Sequence, residues 1–230
     1  MQKTARIATR LLVLSEVVCV GALLAACNYN PFNAPGGGSQ SQTVNLESRS
    51  VSGFSAVSLK TSGDLTISVT GKASLTVEAE PSVLPLLTSD VSGNRLILSS
   101  KPNVSIQTSQ PIRYTLTVKD LNDVVLDGSG NVTISGLAVS NFNATINGSG
   151  SIAIKGQADS LTVAVNGSGS FDDSNLTSNT VTVNDSGSGN VVVQASDTLN
   201  ANVSGSGSVR YIGNPSVKST VNGSGSVSKQ

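Results

Sequence analysis

Apolar and polar residues alternate with a period of two along several short stretches of the chain. Two clear examples are Leu65-Thr-Ile67-Ser-Val69 and Tyr114-Thr-Leu116-Thr-Val118. This alternation is typical of β-strands that bury one face. Pro81 and Pro85 restrict the segment that contains them to a single helical turn or a loop. The pattern therefore predicts an all-β protein built from many short strands, and it excludes a helical bundle and a coiled coil.

The second half of the chain is a repeat marked by the triplet Gly-Ser-Gly. Successive triplets lie 18 to 20 residues apart, and their first glycines are Gly128, Gly148, Gly167, Gly187, Gly205 and Gly223. Self-similarity at a period of about 20 residues is typical of solenoid proteins. A disordered Ser/Gly linker is the alternative, and it would not keep its apolar residues in register with the glycines.

The apolar residues do keep that register. One column follows each triplet at the same distance: Val132, Ile152, Phe171, Val191, Val209 and Val227. A second column precedes the triplets: Ile146, Val165, Val183, Val203 and Val221. The sequence predicts a single-stranded parallel β-helix, or β-solenoid, with coils of about 18–20 residues. The usual chirality of parallel connections predicts that it is right-handed.

The triplets are interpreted as the corners of the coils. Asn147, Asn166 and Asn222 each precede the first glycine of a triplet, and Asn-Gly is a favoured turn sequence. Stacked coils would place these asparagines about 4.8 Å apart, where their side chains can form a hydrogen-bonded ladder. The triplets lack the lysine and the following helix of a phosphate-binding loop, so a nucleotide site is excluded.

Two departures from the repeat introduce carboxylates. In Phe171-Asp172-Asp173, an aspartate occupies a column that is apolar in other coils. We expect a bulge that turns Asp173 outward, and the alternative is that Asp172 and Asp173 together bind a cation at the surface. In the same coil, Val183 and Val191 are eight residues apart rather than six, which predicts a two-residue insertion within 184–186.

Residues 43–125 keep the strand pattern without the strict triplet. Because a solenoid needs atypical coils at its end to cover the core, this part is predicted to form irregular N-terminal coils and a cap. No linker separates it from the triplet repeats of 126–230. We therefore expect one folded domain over 43–230.

The N-terminus has the features of a bacterial export signal. Lys3, Arg6 and Arg10 precede an apolar stretch that ends in Leu24-Ala25-Ala26-Cys27. A basic flank, a short apolar core and small residues before the cleavage site are typical of a signal peptide, predicted here as residues 1–26. Leu-Ala-Ala-Cys resembles the bacterial lipobox, which implies that Cys27 is lipidated. An ordinary signal peptide with an incidental cysteine is the alternative.

The segment after the cut is predicted to be a flexible tether over residues 27–42. It contains Pro31, Pro35 and three consecutive glycines, and it lacks apolar periodicity. In lipoproteins of this kind an aspartate after the cysteine favours retention in the inner membrane, so Asn28 favours the outer membrane of a Gram-negative bacterium. Acylation of Cys27 would attach the protein to the membrane. The sequence does not decide between the periplasmic side and the cell surface.

Composition narrows the range of functions. Lys plus Arg and Asp plus Glu each number 14, so the formal charge is zero and the basic surface of a nucleic-acid-binding protein is absent. The chain contains no histidine, which excludes catalytic triads with histidine and His-ligated zinc sites. We expect no cofactor and no metal site.

Three groups of residues resemble one bacterial family. They are Arg49-x-Val51-x-x-Phe54, Ser62-Gly63-Asp64-Leu65-x-Ile67 and the repeated Gly-Ser-Gly-x-Val coils, and the likeness continues into Gly213-x-Pro215-x-Val217. The family is described as "putative auto-transporter adhesin, head GIN domain", a domain of unknown function. The resemblance covers nearly all of 43–230 and implies an exported β-helix protein, in many members a lipoprotein. It supplies no catalytic residues.

We therefore expect a lipid-anchored, non-enzymatic envelope protein that presents a rigid solenoid for binding or adhesion. Its ligand would be a glycan or a protein surface. The alternative is a periplasmic scaffold that associates with copies of itself. A polysaccharide-degrading β-helix enzyme is the less favoured reading, because its paired carboxylates would have to come from aspartates spread over separate segments: Asp123, Asp127, Asp159, Asp172, Asp173, Asp185 and Asp197.

Overall fold

A computed structural model describes residues 43–230, which fall in one compact unit. The predicted signal peptide, the tether and Cys27 lie outside the described residues. Residues 43–230 form fifteen strands and one short 3-10 turn, and no helix among them is long and apolar enough to cross a bilayer. The all-β prediction is confirmed.

The first eight strands are short, and a 3-10 turn at Leu84–Leu86 separates the fourth from the fifth. They are β1 (Asn45–Arg49), β2 (Ala56–Leu59), β3 (Asp64–Val69), β4 (Ser74–Ala79), β5 (Leu87–Ser92), β6 (Arg95–Ser100), β7 (Arg113–Val118) and β8 (Asp123–Leu126). The later strands are β9 (Asn131–Ile146), β10 (Ser151–Val165), β11 (Ser170–Asp185), β12 (Asn190–Val203), β13 (Ser208–Ile212), β14 (Ser216–Val221) and β15 (Ser226–Lys229).

Strands β8 to β15 form the predicted parallel solenoid. Each of the long strands β9 to β12 follows most of one coil and pairs in parallel with the coils before and after it. The column that follows the triplets is aligned as expected, because Ile152 pairs with both Val132 and Phe171, and Val209 pairs with Val191 and Val227. These side chains alternate with exposed ones, so the coils bury a continuous apolar interior.

The corners explain why the triplet is needed. A Cβ on Gly148 would collide with the carbonyl oxygen of Gly128, and a Cβ on Gly167 would collide with that of Gly148. The backbones of neighbouring coils therefore approach too closely for any side chain. Asn147 and Asn166 do not adopt a positive φ, so close approach, rather than the left-handed turn expected for Asn-Gly, selects glycine at these corners.

The predicted ladder of polar side chains forms in part at the corners, and Asn222 makes no side-chain hydrogen bond among residues 43–230. Asn166 Nδ2 donates to Asn147 Oδ1 at 2.9 Å, and Asn147 Nδ2 donates to Asp127 Oδ1 at 2.6 Å. Each bond joins two successive coils. The ladder therefore ties the stack together at the point where the backbones are nearest.

The first coils are not stacked in chain order. Strand β2 lies between β6 and β8, and β3 lies between β7 and β9, in parallel pairing on both sides. The coil β2–β3 comes first in the sequence, but it is enclosed by segments that come later. This arrangement brings together residues that are far apart in the chain.

An antiparallel cap closes the N-terminal end. Strand β4 pairs with β7, β1 pairs with β4, and β5 pairs with β6, all antiparallel. The guanidinium of Arg49 donates to the carbonyl oxygens of Leu84 (3.1 Å) and Leu87 (3.0 Å) and to Ser89 Oγ (3.0 Å). The side chain of Arg49 therefore links β1 to the 3-10 turn and to β5 at the edge of the cap.

Glu80 fixes the long connection between β6 and β7. Its Oε1 accepts hydrogen bonds from Ser109 N (2.8 Å), Ser109 Oγ (2.8 Å) and Gln110 N (2.9 Å). The hydrogen bonds from Ser109, with that from Gln110, lower the pKa of the Glu80 carboxyl below its ordinary value. The ionised side chain therefore fastens the loop at Ser109 and Gln110, while backbone hydrogen bonds from Lys101 N to the Leu86 carbonyl oxygen and from Asp64 N to the Ile112 carbonyl oxygen hold its two ends.

The predicted insertion at 184–186 is wrong. Val183 pairs with Val163 and Ala201, whereas Asp185 pairs with Val165 and Val203 and is buried in their apolar column. The register shifts of this coil fall between 172 and 178, at the bend after the first leg. The extra residues are accommodated there because the bend tolerates a bulge and the closely packed corner does not.

Candidate functional site

An ion pair on the outer side of the sheet marks the most distinctive polar site. Arg95 on β6 and Asp123 on β8 are both register partners of Ala56 on the intervening strand β2. Arg95 Nη1 donates to Asp123 Oδ1 at 2.8 Å. The arginine can cross β2 because Ala56 presents only a methyl group there. Both charged side chains remain partly exposed, at 34% and 24%.

A chain of hydrogen bonds orders the amides next to this pair. Asn94 Oδ1 accepts from Ser55 N at 2.9 Å, and Asn94 Nδ2 donates to Ser55 Oγ at 2.7 Å. Ser55 Oγ in turn donates to Asn122 Oδ1 at 3.3 Å. These contacts fix the orientation of the Asn94 amide and hold Asn122 through its Oδ1.

The pair and the amides lie along an open cleft of about 760 Å³, which we call the Arg95–Asp123 cleft. Leu121 is buried at its base, and the exposed side chains of Asn141 and Asn143 line the far wall. Neither of these two amides makes a hydrogen bond within residues 43–230. The cleft therefore combines ordered polar groups with free amide donors and acceptors.

The charge in the cleft is nearly balanced and slightly negative. Asp123 offsets Arg95, and the exposed Asp120 beside Lys119 adds a further carboxylate at the rim. An isolated cationic pocket would favour phosphate or carboxylate ligands, whereas this set of amides, a carboxylate and a paired guanidinium suits a neutral ligand with many hydroxyl groups. The chemistry of the cleft is that of hydrogen-bond recognition.

The expectation that Asp173 turns outward is wrong. Asp173 is fully buried, while its neighbour Asp172 is exposed and accepts a hydrogen bond from Ser174 N at 2.9 Å. The bulge is present, since the register shifts around these residues, but it leaves Asp173 inside. The two carboxylates point to opposite sides of the strand, so they cannot share the surface cation considered above.

Burial governs the chemistry of Asp173. It raises the pKa of the Asp173 carboxyl from 3.8 to about 8, and the nearby Asp172 carboxylate adds to the rise. The hydrogen bond from Gln194 N to Asp173 Oδ1 (2.6 Å) acts in the opposite direction. Asp173 is therefore a protonated, neutral side chain in the core at neutral pH.

Strand β11 holds all the buried side-chain oxygens that lack a hydrogen-bond partner among the described residues. They are Asp173 Oδ2, Ser178 Oγ and Asp185 Oδ2. Asp185 Oδ1, in contrast, accepts a hydrogen bond from Gly187 N at 2.9 Å. Across residues 43–230, no group of three or more His, Cys, Asp or Glu side chains could hold a metal ion.

The structure brings one of the seven aspartates noted from the sequence into the cleft. Asp123 contacts Arg95, whereas Asp127 belongs to the corner ladder, and Asp159 and Asp197 are exposed elsewhere on the solenoid. Sequence reasoning missed Arg95, because nothing in the local pattern reveals that β6 and β8 flank the same strand. Cys27, the predicted lipidation site, lies outside the described residues.

The comparisons with known proteins agree with the fold. The structure resembles an adhesin of Bacteroides fragilis described as putative, at a TM-score of 0.68 and 22% identity, over 83% of this chain and 98% of that one. It also resembles a "putative adhesin" of Parabacteroides merdae (TM-score 0.55, 16% identity, 83% and 97% coverage). A "putative lipid binding protein" of Parabacteroides distasonis has a TM-score of 0.51 at 20% identity, with 83% and 98% coverage.

Because these sequence identities are low, the three structures show only that they share the fold of this chain. A comparison with curated proteins finds no match. The sequence profile of the family described as "putative auto-transporter adhesin, head GIN domain" matches residues 53–215, which is more than half of the chain. The matched region runs from the connection between β1 and β2 to the start of β14 and contains the Arg95–Asp123 cleft. The protein therefore belongs to this adhesin-like family, as its repeated corners indicated.

Proposed function

We propose that the protein is an exported, lipid-anchored and non-enzymatic component of the cell envelope that binds a hydroxyl-rich ligand, a surface glycan, through the Arg95–Asp123 cleft. The observation that carries this proposal is the cleft itself. It offers an ordered ion pair and unpaired amides on a rigid solenoid face. The family's adhesin description and the adhesin-like neighbours support a binding role.

The binding groups match the geometry of sugar hydroxyls. A carboxylate and a side-chain amide can each exchange two hydrogen bonds with adjacent hydroxyls, and Arg95 keeps donors that are not used by Asp123. Val139, which is half-buried, provides an apolar contact for the carbon-bound hydrogens of a ring. Among the described residues that line the cleft none is aromatic, so each site is expected to bind weakly and adhesion would require many copies.

The anchor follows from the sequence features outside the described part. Acylation of Cys27 would insert lipid chains into the membrane. Asn28 directly after the cysteine favours the outer membrane over the inner membrane as the site of this anchor. Residues 28–42 would act as a flexible tether with a root-mean-square span of roughly 20 Å. This length lets the solenoid reorient above the membrane and lets several copies engage one polymer.

Binding is tested with the full chain in detergent on an array of neutral, acidic and amino oligosaccharides. Arg95→Gln and Asp123→Asn are expected to weaken the binding of neutral glycans at least about tenfold, since each leaves a polar partner unpaired. Arg113→Gln is the matched control, because it removes an ion pair with Glu78 outside the cleft. If Arg95→Gln and Arg113→Gln reduce glycan binding equally, the proposed site is wrong. Cleavage of a bound glycan would contradict the non-enzymatic role.

The location is tested by protease treatment of intact cells that carry either the wild-type chain or Cys27→Ser, with a periplasmic protein as control. Loss of the wild-type domain while the control protein survives supports surface display and adhesion. Protection until the outer membrane is permeabilised contradicts display, and it would favour the periplasmic scaffold. If the wild-type chain is released from the membrane to the same extent as Cys27→Ser, the prediction that Cys27 is lipidated is wrong.

A further inference from the structure

The acidic residue of the Arg95–Asp123 cleft stands at one end of a column of polar side chains. Asp123 on β8 is the register partner of Asn143 on β9. The parallel register of the later coils continues this column with one polar residue per coil: Thr162, Thr182 and Asn200. From Asn143 onward these side chains face outward, because the residues before and after each of them are buried. The cleft therefore opens onto a polar row that follows the stack of coils.

A second polar column runs beside the first. It lies two residues earlier in the second leg of each coil, which is the part between the bend and the next triplet. Its members are Asn141, Ser160, Thr180 and Thr198. We call the two columns from β9 to β12 the polar track. Asn141 and Asn143 belong both to the track and to the wall of the cleft, so the two surfaces are continuous.

The side chains of the polar track are not engaged with the protein. None of its hydroxyl and amide groups makes a hydrogen bond within residues 43–230. At the corners of the same coils, in contrast, Asn166 donates to Asn147 at 2.9 Å. Because both rows advance by one coil per residue, stacking alone does not pair such groups. The donors and acceptors of the track are therefore available to a ligand.

The first legs of the coils, between the triplet and the bend, carry no equivalent surface. Their outward column begins with Thr66 and Thr133, which are register partners. It then continues with apolar and charged residues: Ala153, Asp172, Val192 and Arg210. An unbroken row of neutral hydrogen-bonding groups is thus a property of the second legs and of the face that holds the cleft.

The composition of the track indicates the class of ligand. It is uncharged between Asp123 at one end and Lys218, the register partner of Asn200, at the other. The centres of protein–protein interfaces are rich in apolar and aromatic side chains, and the track has neither. Its coils are about 4.8 Å apart, and an extended chain of six-membered sugar rings advances by a similar length per ring. These features suit an uncharged polymer of sugars.

We propose that the ligand of the cleft is a linear, neutral polysaccharide that lies along the polar track with one sugar residue over each coil. This inference rests on the proposed function, because the cleft holds one end of the bound stretch. The column from Asp123 to Asn200 spans four coil steps, or roughly 19 Å, so it accommodates about five sugar residues. Each coil adds a weak contact of its own.

The test is isothermal titration of the full chain in a non-ionic detergent with linear β-1,4-linked oligosaccharides of glucose and of mannose, two to eight residues long. The affinity is expected to rise with each added residue up to about five and to stay constant beyond that length. Arg95→Gln is expected to weaken the binding of every length, because the cleft contacts all of them.

A pair of threonines in the middle of the track separates it from the cleft. Thr162→Val/Thr182→Val removes two hydroxyl groups and keeps the side-chain shape and the preference for a strand. It is expected to lower the affinity for the eight-residue chain at least about fivefold and to leave the two-residue sugar unaffected. Thr66→Val/Thr133→Val is the matched control, since it makes the same change at two register partners on the first legs.

The outcomes distinguish this inference from the proposed function. If affinity is the same for all lengths and Arg95→Gln still weakens it, the polar track is wrong and the cleft stands. Equal losses in the two threonine pairs would also overturn the track, because binding would not single out the second legs. Tighter binding of oligogalacturonate of equal length would overturn the neutral ligand. If no oligosaccharide binds, the track and the proposed function fail together.

Discussion

Asp173 Oδ1 accepts a hydrogen bond of 2.6 Å from the backbone nitrogen of Gln194, which lies in the next coil. The other oxygen of the same carboxyl is buried without a partner. A titratable group thus takes part in the contact between two coils, in a column that Ile154 fills one coil earlier. The stability of this interface must depend on whether Asp173 carries its proton.

Replacement of Asp173 by asparagine is expected to remove a pH dependence of stability. The pKa of Asp173 is raised from 3.8 to about 8 on folding, so the unfolded chain loses this proton at a lower pH than the folded chain. Ionisation therefore favours unfolding as the pH rises from about 4 to about 8, by at most about 1.4 kcal/mol per pH unit, and the loss levels off above that window.

The measurement is the free energy of unfolding of wild type and Asp173→Asn between pH 4 and pH 9, the window set by the raised pKa. The advantage of the variant should grow with pH and then become constant. Asp172→Asn is the matched control, because Asp172 is exposed and its neighbour remains titratable. Parallel curves for wild type and Asp173→Asn would show that Asp173 does not titrate on unfolding.

Gly148→Ala is expected to destabilise the solenoid by about 1–3 kcal/mol or more, because the new methyl group collides with the backbone carbonyl of Gly128. A backbone neighbour held between two coils cannot move aside as a flexible side chain can. Thermal unfolding measures the effect, and Ser149→Ala within the same triplet is the control. Equal stability of the two variants would mean that the corners are less tightly stacked than described.

Arg49→Gln is expected to loosen the N-terminal cap. The substitution removes donors to the carbonyl oxygens of Leu84 and Leu87, and a loss of about 1–3 kcal/mol follows from leaving such partly buried groups unsatisfied. Hydrogen exchange should increase in β1 and β5 and stay unchanged in β11 and β12. Uniform exchange along the chain would instead show that the cap and the solenoid unfold together.

Glu80→Gln is expected to release the 101–112 segment. The pKa of Glu80 is lowered in the folded protein, so the stabilisation by its hydrogen bonds is present above the ordinary value of 4.5 and is lost as the pH falls through the lowered pKa. Hydrogen exchange at Ser109 and Gln110 should become faster in the variant at neutral pH. In the wild type, the protection of these amides relative to their intrinsic exchange rate should be lost only in acid. Glu78→Gln is the control, and an equal effect there would contradict the assignment.

The repeat could be predicted from the sequence because its physical cause is local. Every coil must place an apolar residue at the position of Val132 or Ile152, and every corner must accept the close approach seen at Gly148. These demands recur at the coil period and are visible in the printed sequence. The same logic predicted the contact between the corner asparagines Asn147 and Asn166, but not the place of Asp127 beside them.

The site could not be predicted in this way, because it depends on strand order. Arg95 and Asp123 meet only since β6 and β8 lie on either side of β2, and no period in the sequence specifies that order. The position of Asp173 was mispredicted for a related reason. A carboxylate in an apolar column suggests an outward turn, but a bulge beside a buried residue can keep the carboxylate inside when burial maintains it in the neutral form.

The enclosed position of β2 has a consequence for how the chain reaches its fold. Strand β2 leaves the ribosome well before β6 and β8, which are its partners on both sides. The earliest strand of the parallel stack therefore has no parallel partner until β6 (Arg95–Ser100) has emerged, and it is enclosed on both sides only after β8 (Asp123–Leu126) follows. The closure of this long loop should set the folding rate.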